Sequence, residues 1–140
     1  MSEYFDSSAL VKLLVAEPGS AIAVQQWEAA NSPTCVTIGL TEVAAALAAA
    51  ERGGRISVRR RNDARRELDS MWSHISRPIP DDEVASAAAT LALVHGLRGY
   101  DAVHLAAAVA TSDIFVAADQ ALLAAARAEG LGTTDVSTDE

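Results

Sequence analysis

Apolar positions along the chain alternate between short runs typical of β-strands and longer segments with helical spacing. Residues 4–5, 35–38 and 114–117 predict three strands, and residues 134–137 predict a fourth. Apolar residues recur every three or four positions over residues 7–16, 21–30, 40–52, 55–75, 81–96, 101–111 and 120–128. Strands that alternate with helices predict an α/β fold with a mainly parallel central sheet and right-handed crossovers.

The composition favours helices packed on a sheet over an all-β sandwich. Thirty of the 140 residues are alanine and only 4% are aromatic. The length is near the usual size of one domain, and neither a repeat nor a linker-like segment interrupts the chain. We therefore predict a single domain over residues 1–140.

The sequence also bears on location. The longest uncharged apolar runs, residues 84–97 and 102–112, are shorter than the ~18–20 residues that span a bilayer. The first residues include Glu3 and Asp6 and lack the basic region of a signal peptide. Cys35 is alone, which excludes an internal disulfide and a cysteine-based zinc site. We expect a cytoplasmic protein that does not associate with membranes.

The charge distribution leaves one positive surface on an acidic protein. The net charge is −8, but seven of the ten arginines lie within residues 52–66. On the predicted helix 55–75, Arg55, Arg59 and Arg66 share the face opposite the apolar stripe. These arginines are the candidate contacts to nucleic-acid phosphates. The few aromatic residues argue against recognition of single strands by base stacking.

Four acidic residues occupy corresponding places in the predicted fold. Asp6 and Asp119 follow apolar strands, Asp101 stands at a helix start, and Glu42 lies in the predicted first turn of its helix. Each acid alone is explained by capping or by the helix dipole, effects of ~0.5–2 kcal/mol. In a parallel sheet, however, these junctions share one edge. Carboxylates ~5 Å apart repel by about 3 kcal/mol at an effective dielectric of ~20, and a divalent cation removes that cost.

A site made of carboxylates selects hard ions, so we expect Mg²⁺, with Mn²⁺ as a substitute. The corresponding reaction is hydrolysis of a phosphodiester by a metal-activated water. Ser7 is expected to cap its helix and is also a candidate contact to the substrate. His104 lies three residues after Asp101, and a packed or hydrogen-bonded histidine is favoured over a metal ligand.

Four segments resemble, in order, the motifs of PIN-domain toxins of the VapC type. They are YFDSSALVK at residues 4–12 with EPG at 17–19, TEV at 41–43, RGYDAVHLA at 98–106, and FVAAD at 115–119. The first and third are specific to that family, whereas a lone TEV or a final VAAD is not. Ala118 departs from the pattern, since the family often has Thr or a similar polar residue there.

The resemblance implies a three-layer α/β/α fold, a Mg²⁺-dependent endoribonuclease activity, homodimerisation and neutralisation by a cognate antitoxin. In this chain Asp6 and Asp101 match the principal metal ligands of the family. Glu42 and Asp119 match its other two acids.

Two other functions fit parts of the sequence. A phospho-receiver signalling domain is also a small α/β protein with clustered acids, but it needs a lysine after its last strand, and the only lysine here is Lys12. A PIN-fold module that binds RNA without cleaving it is the other alternative. The four intact acids argue against it, because a module without turnover has no need of them.

Overall fold

The computed structural model describes residues 2–140, and within this range four short strands alternate with seven helices. The strands are β1 (Glu3–Phe5), β2 (Pro33–Thr34), β3 (Ile114–Ala117) and β4 (Gly132–Asp135). The helices are α1 (Ser7–Leu14), α2 (Ser20–Ala29), α3 (Ile38–Arg52), α4 (Val58–Trp72), α5 (Asp82–His95), α6 (Gly99–Thr111) and α7 (Gln120–Ala128).

The strands form one parallel sheet in the order β2-β1-β3-β4. Tyr4 in β1 lies beside Thr34 of β2 and Phe115 of β3. Because every strand runs the same way, all carboxyl ends lie along one edge, where ligands of such sheets bind. The predicted parallel α/β sheet is confirmed.

Helices cover both faces of this sheet, so the fold is a three-layer α/β/α arrangement. On one face α1 packs against α2, α3 and α4, and on the other α6 packs against α5 and α7. The alternation of side chains in β1 matches the two layers. Phe5 makes an edge contact with Trp27 of α2, whereas Tyr4 makes an edge contact with His104 of α6.

The second and last strands differ from their predicted positions. Residues 35–38 were predicted as a strand, but β2 is only Pro33–Thr34. Cys35 and Val36 are fully buried connecting residues, and Ile38 already begins α3. An apolar run of four residues does not separate a strand from a buried turn into a helix. The last strand lies at residues 132–135 rather than 134–137.

The helices define two ends of the molecule. Helix α1 begins at the carboxyl edge of the sheet, and the Leu14 carbonyl at its far end accepts a hydrogen bond from Arg60 near the start of α4. Helix α4 runs from that far end back toward the carboxyl edge. Trp72 in its last turn packs near Gly39 in the first turn of α3. The start of α3 therefore lies at the carboxyl edge and its end at the opposite side. Among residues 2–140, we find no helix with both the length and the apolar character to cross a bilayer.

Candidate active site

Asp6 is the most buried of the four predicted acids, at 3% exposure. It follows β1 directly and caps α1, with Oδ2 accepting from the Ser8 backbone N–H at 3.2 Å. The same oxygen accepts from the Ser8 hydroxyl at 2.6 Å. The other oxygen, Oδ1, is buried and has no hydrogen-bond partner among the residues that the structure describes. Capping therefore accounts for one oxygen of Asp6 and leaves the other unexplained.

Ser8 links Asp6 to the next strand of the sheet. Its hydroxyl donates to Asp6 and accepts from the backbone N–H of Ala118 at 2.9 Å. Ala118 immediately precedes Asp119, so the bond ties the end of β1 to the end of β3. Ser7, the residue predicted to cap α1, is instead its first residue, because Asp6 occupies the capping position.

Glu42 meets Asp6 at one buried histidine. Glu42 lies in the second turn of α3, one turn later than predicted. Its Oε1 is 2.5 Å from Nε2 of His104, and Oδ1 of Asp6 is 3.8 Å from the same nitrogen. Nδ1 of His104 is 2.7 Å from the hydroxyl of Tyr4. His104 is fully buried and stands between the two acids.

A glycine makes this close approach possible. Gly39 lies in the first turn of α3, and a Cβ added there would stand 2.4 Å from Sγ of Cys35 and 3.8 Å from Cε1 of His104. No side chain fits between α3 and Cys35 at this position. The absence of one therefore lets α3 bring Glu42 within reach of the histidine.

Asp101 is paired with the arginine that precedes α6. Arg98 donates from Nε to Oδ2 of Asp101 at 3.0 Å, and 83% of its side chain is exposed. The hydrogen bond and charge of Asp101 raise the pKa of Arg98, and the charges of Asp119 and Glu42 raise it further. Arg98 is thus a cation close to three of the four acids.

Asp119 serves as a helix cap at the end of β3. Its Oδ1 accepts from the backbone N–H of Leu122 at 3.0 Å, in the first turn of α7. Asp6 and Asp119 therefore cap helices, as each acid taken alone could do. Neither Glu42 nor Asp101 caps a helix.

Burial and charge shift the pKa values of two groups at the centre of the site. Burial raises the pKa of Asp6 and the charge of Glu42 adds to the rise, although His104 and the Ser8 hydrogen bonds oppose it. Burial lowers the pKa of His104, but the neighbouring Cys35, the Glu42 hydrogen bond and the Asp6 charge outweigh that effect and raise it to about 10. Burial thus disfavours the charged form of both groups, and only for His104 do its neighbours outweigh this effect.

The four acids share one edge, but their side chains are not arranged as a ready-made metal site. Within residues 2–140, no three His, Cys, Asp or Glu side chains stand in a geometry that could hold an ion. Glu42 is engaged by His104, Asp101 by Arg98, and Asp119 by the start of α7. Even so, the donor set fits a hard divalent cation, because it is made of carboxylates and holds one buried, unpartnered oxygen on Asp6.

The structure does not bring the predicted arginine surface to the acids. Arg55 lies 3.6 Å from Glu17, beyond the end of α1, and so belongs to the opposite end of the molecule. The 15 residues of α3 between the two ends correspond to about 22 Å. Arg66 is paired with Asp63, whereas Arg59 is exposed and has no acidic partner within 4.0 Å in the described part of the chain.

Sequence reasoning missed three of the residues that organise this site. Ser8, Tyr4 and Arg98 hold Asp6, His104 and Asp101 respectively. The three-residue spacing between Arg98, the N-cap of α6, and Asp101 in its first turn was a usable signal. The other contacts bring together elements far apart in the chain, and local spacing does not report them.

Known proteins with similar sequences share most of this chain. The family model described as PIN domain matches residues 4–128. Two proteins of Mycobacterium tuberculosis, Ribonuclease VapC45 and Ribonuclease VapC49, are each 41% identical over 111 residues. That stretch covers 79% of this chain and 76% of each relative.

A solved structure supports the same fold. The crystal structure of PAE2754 from Pyrobaculum aerophilum superimposes with a TM-score of 0.72 at 21% sequence identity. The similarity covers 98% of this chain and 90% of the other. At this identity the likeness concerns the fold alone.

Proposed function

Because the chain belongs to the PIN-domain family, with VapC ribonucleases among its relatives, we propose that it is the endoribonuclease toxin of a toxin–antitoxin pair. The observation that carries the proposal is the buried Oδ1 of Asp6, unpartnered within residues 2–140, at the edge where Glu42, Asp101 and Asp119 also stand. This oxygen accepts no hydrogen bond, and the nearest positive group, Nε2 of His104, is 3.8 Å away. Burial of a carboxylate oxygen without a direct partner is costly, and a bound cation would remove that cost.

PIN-domain ribonucleases generally use divalent metal ions, and we propose Mg²⁺, with Mn²⁺ as a substitute, for this chain. Asp6, Glu42, Asp101 and Asp119 are the residues that would hold it. When bound, such an ion lowers the pKa of an attacking water and offsets the charge that develops on the phosphate.

The chain's own residues prepare this edge for an RNA phosphate. Ser8 fixes the carboxylate of Asp6 through one oxygen, so that the other keeps a constant direction. Arg98 is exposed and pairs with Asp101. Its guanidinium would be well suited to bind a phosphate in place of that carboxylate. We assign no contact to Ser7 beyond its place beside Asp6, where it remains a candidate for the substrate.

The proposal is tested by incubating purified protein with a mixed single-stranded and structured RNA. We expect cleavage with Mg²⁺ or Mn²⁺ and none after chelation. Mapping of the new RNA ends would show internal cuts for an endoribonuclease. Binding of RNA without new ends in the presence of either ion would favour the non-catalytic module instead. The phospho-receiver alternative is set aside, because the PIN-domain match spans the segments that carry all four acids.

Partners follow from the same proposal. A cognate antitoxin protein would silence the toxin in the cytoplasm, and the toxin would form a homodimer. The exposed apolar side chains of Leu93 and Val94 in α5, 88% and 67% accessible, are surface that a protein partner would cover.

The arginine surface is expected to add affinity away from the cleaved bond. Binding of single-stranded RNA falls with salt at a slope of about −0.7 per neutralised phosphate. Arg59→Ala should therefore flatten the slope of log K against log salt by about 0.7. Arg66→Ala should change it less, because Arg66 is already paired with Asp63.

Fluorescence anisotropy of a labelled RNA at several salt concentrations, in chelator, measures these slopes. Arg127→Ala is the matched control, since Arg127 is exposed on α7 in the other helical layer. If Arg59→Ala and Arg127→Ala give the wild-type slope, the RNA does not cross the arginine surface.

A further inference from the structure

We propose that His104 is a positioning residue that holds the carboxylate of Glu42 toward the other acids and is itself held by Tyr4. The proposal rests on the proposed function, because it assigns Glu42 to a metal site. It is carried by a series of contacts, of which the first two are buried and the last is partly buried. They are the backbone N–H of Val36 to Tyr4 at 3.1 Å, Tyr4 to His104 at 2.7 Å, and His104 to Glu42 at 2.5 Å.

Both ring nitrogens of His104 are already engaged. Nε2 faces a carboxylate oxygen and therefore carries the hydrogen of that bond, whether the ring is neutral or charged. Nδ1 forms a hydrogen bond with the hydroxyl of Tyr4, as acceptor when the ring is neutral and as donor when it is charged. Neither nitrogen has a free lone pair to offer an ion, so His104 acts on the site through Glu42 rather than as a ligand.

Tyr4 gives the histidine a rigid support. It is fully buried in β1, and its ring stacks on Phe115 of β3 at 5.6 Å between ring centres. Burial raises the pKa of Tyr4, so its hydroxyl keeps its proton. The hydroxyl also satisfies the Val36 N–H, which lies outside any strand. The contacts thus join the central sheet to the helix that carries Glu42.

Glu42 is the acid that most needs such support. It is a long side chain on α3, 26% exposed, with no cap to hold it. His104 holds one carboxylate oxygen and leaves the other for an ion. A hydrogen bond of this kind removes the rotamer freedom that binding would otherwise have to remove.

The test compares metal affinity in four proteins: wild type, His104→Asn, Glu42→Gln and the double variant. Mn²⁺ is the probe, titrated into chelator-treated protein while electron paramagnetic resonance measures the free ion. Asn ends near the position of Nδ1 and loses the donor to Glu42, so we expect affinity to fall about 10- to 100-fold. His104→Gln, which places an N–H near the position of Nε2, should recover most of the loss.

A role through Glu42 predicts a specific coupling between the two changes. Once Glu42→Gln has removed the carboxylate, His104→Asn should cost less than about twofold further. Losses that multiply in the double variant, or a His104→Gln variant as weak as His104→Asn, would overturn the proposal. Wild type that binds no Mn²⁺ would overturn the proposed function, and this inference with it.

Two further variants separate positioning from a general loss of structure. His74→Asn makes the same change at an exposed histidine and should leave Mn²⁺ affinity unchanged. If His104→Asn does not fold by circular dichroism, Tyr4→Phe takes its place in the same cycle. It removes only the hydroxyl that holds the ring, and its effect must also vanish in the Glu42→Gln background. An unchanged affinity for Tyr4→Phe would overturn the supporting role assigned to Tyr4.

Discussion

Asp101→Asn is expected to lower RNA cleavage at saturating Mg²⁺ by at least about 100-fold, since even partners outside the ligand shell cost 10–100-fold in such sites. Asn has nearly the same shape but lacks the charge that holds a hard cation. The fold should survive, because Asp101 caps no helix and its side chain forms an ion pair with the exposed Arg98. Exposed pairs of this kind contribute little to stability.

Asp113→Asn provides a control at the opposite end of the same strand. Asp113 precedes β3 and is exposed, whereas Asp119 follows β3 at the acidic edge. Initial rates on one RNA, with circular dichroism of each variant, make the comparison. If Asp101→Asn and Asp113→Asn both cleave RNA at the wild-type rate, Asp101 does not belong to the site. If both variants lose activity, the effect of the substitution is not specific to the acidic edge.

Much of the fold could be predicted because apolar runs and breakers mark it locally. The strand at Ile114–Ala117 and the helix at Gln120–Ala128 were predicted with the bounds they have in the structure. The error at residues 35–38 has a definite cause. The Val36 N–H bonds to the hydroxyl of Tyr4 instead of a neighbouring strand, and Tyr4 lies 32 residues earlier. No local pattern carries that information.

The acids of the site were predictable, whereas the groups that orient them were not. Asp6 and Asp119 follow strands and Asp101 lies in the first turn of α6, as the sequence pattern indicates. Glu42 lies one turn further into α3 than predicted. Tyr4 and His104 are 100 residues apart, and so nothing in their local spacing relates them. Ser8 and Ala118 are 110 residues apart. The arginines show another limit of local spacing, since a helical face predicts shared exposure but not the distance of that face from the acids.

The metal-free protein is expected to become more stable when Asp6 is replaced by Asn, by about 1–3 kcal/mol near pH 7.5. Burial raises the pKa of Asp6, so its charged form opposes folding. Asn keeps the cap of α1, since it caps about as well as Asp. For a chain of this length the gain corresponds to about 3–10 °C in Tm.

The sign of the pH dependence follows from the same shift. The unfolded chain releases the Asp6 proton near pH 4, whereas the folded protein retains it to a higher pH. Between these two values the folded state binds more protons, so the free energy of unfolding falls as pH rises through the window. Asp6→Asn should lose this part of the pH dependence, and its advantage should shrink as pH falls toward 4.

Thermal melts in chelator from pH 4.5 to 7.5 measure both effects, with Asp81→Asn as the matched control. Asp81 caps α5 through the Val84 N–H but is exposed, so its replacement should be nearly neutral. Mg²⁺ at about 1,000 times its Kd should reverse the order of Asp6→Asn and wild type, because it stabilises the protein that binds it by about 4.1 kcal/mol. An Asp6→Asn variant that melts no higher than wild type in chelator would mean that the buried carboxylate is already compensated within the protein. The unpartnered oxygen would then no longer argue for a cation at this edge.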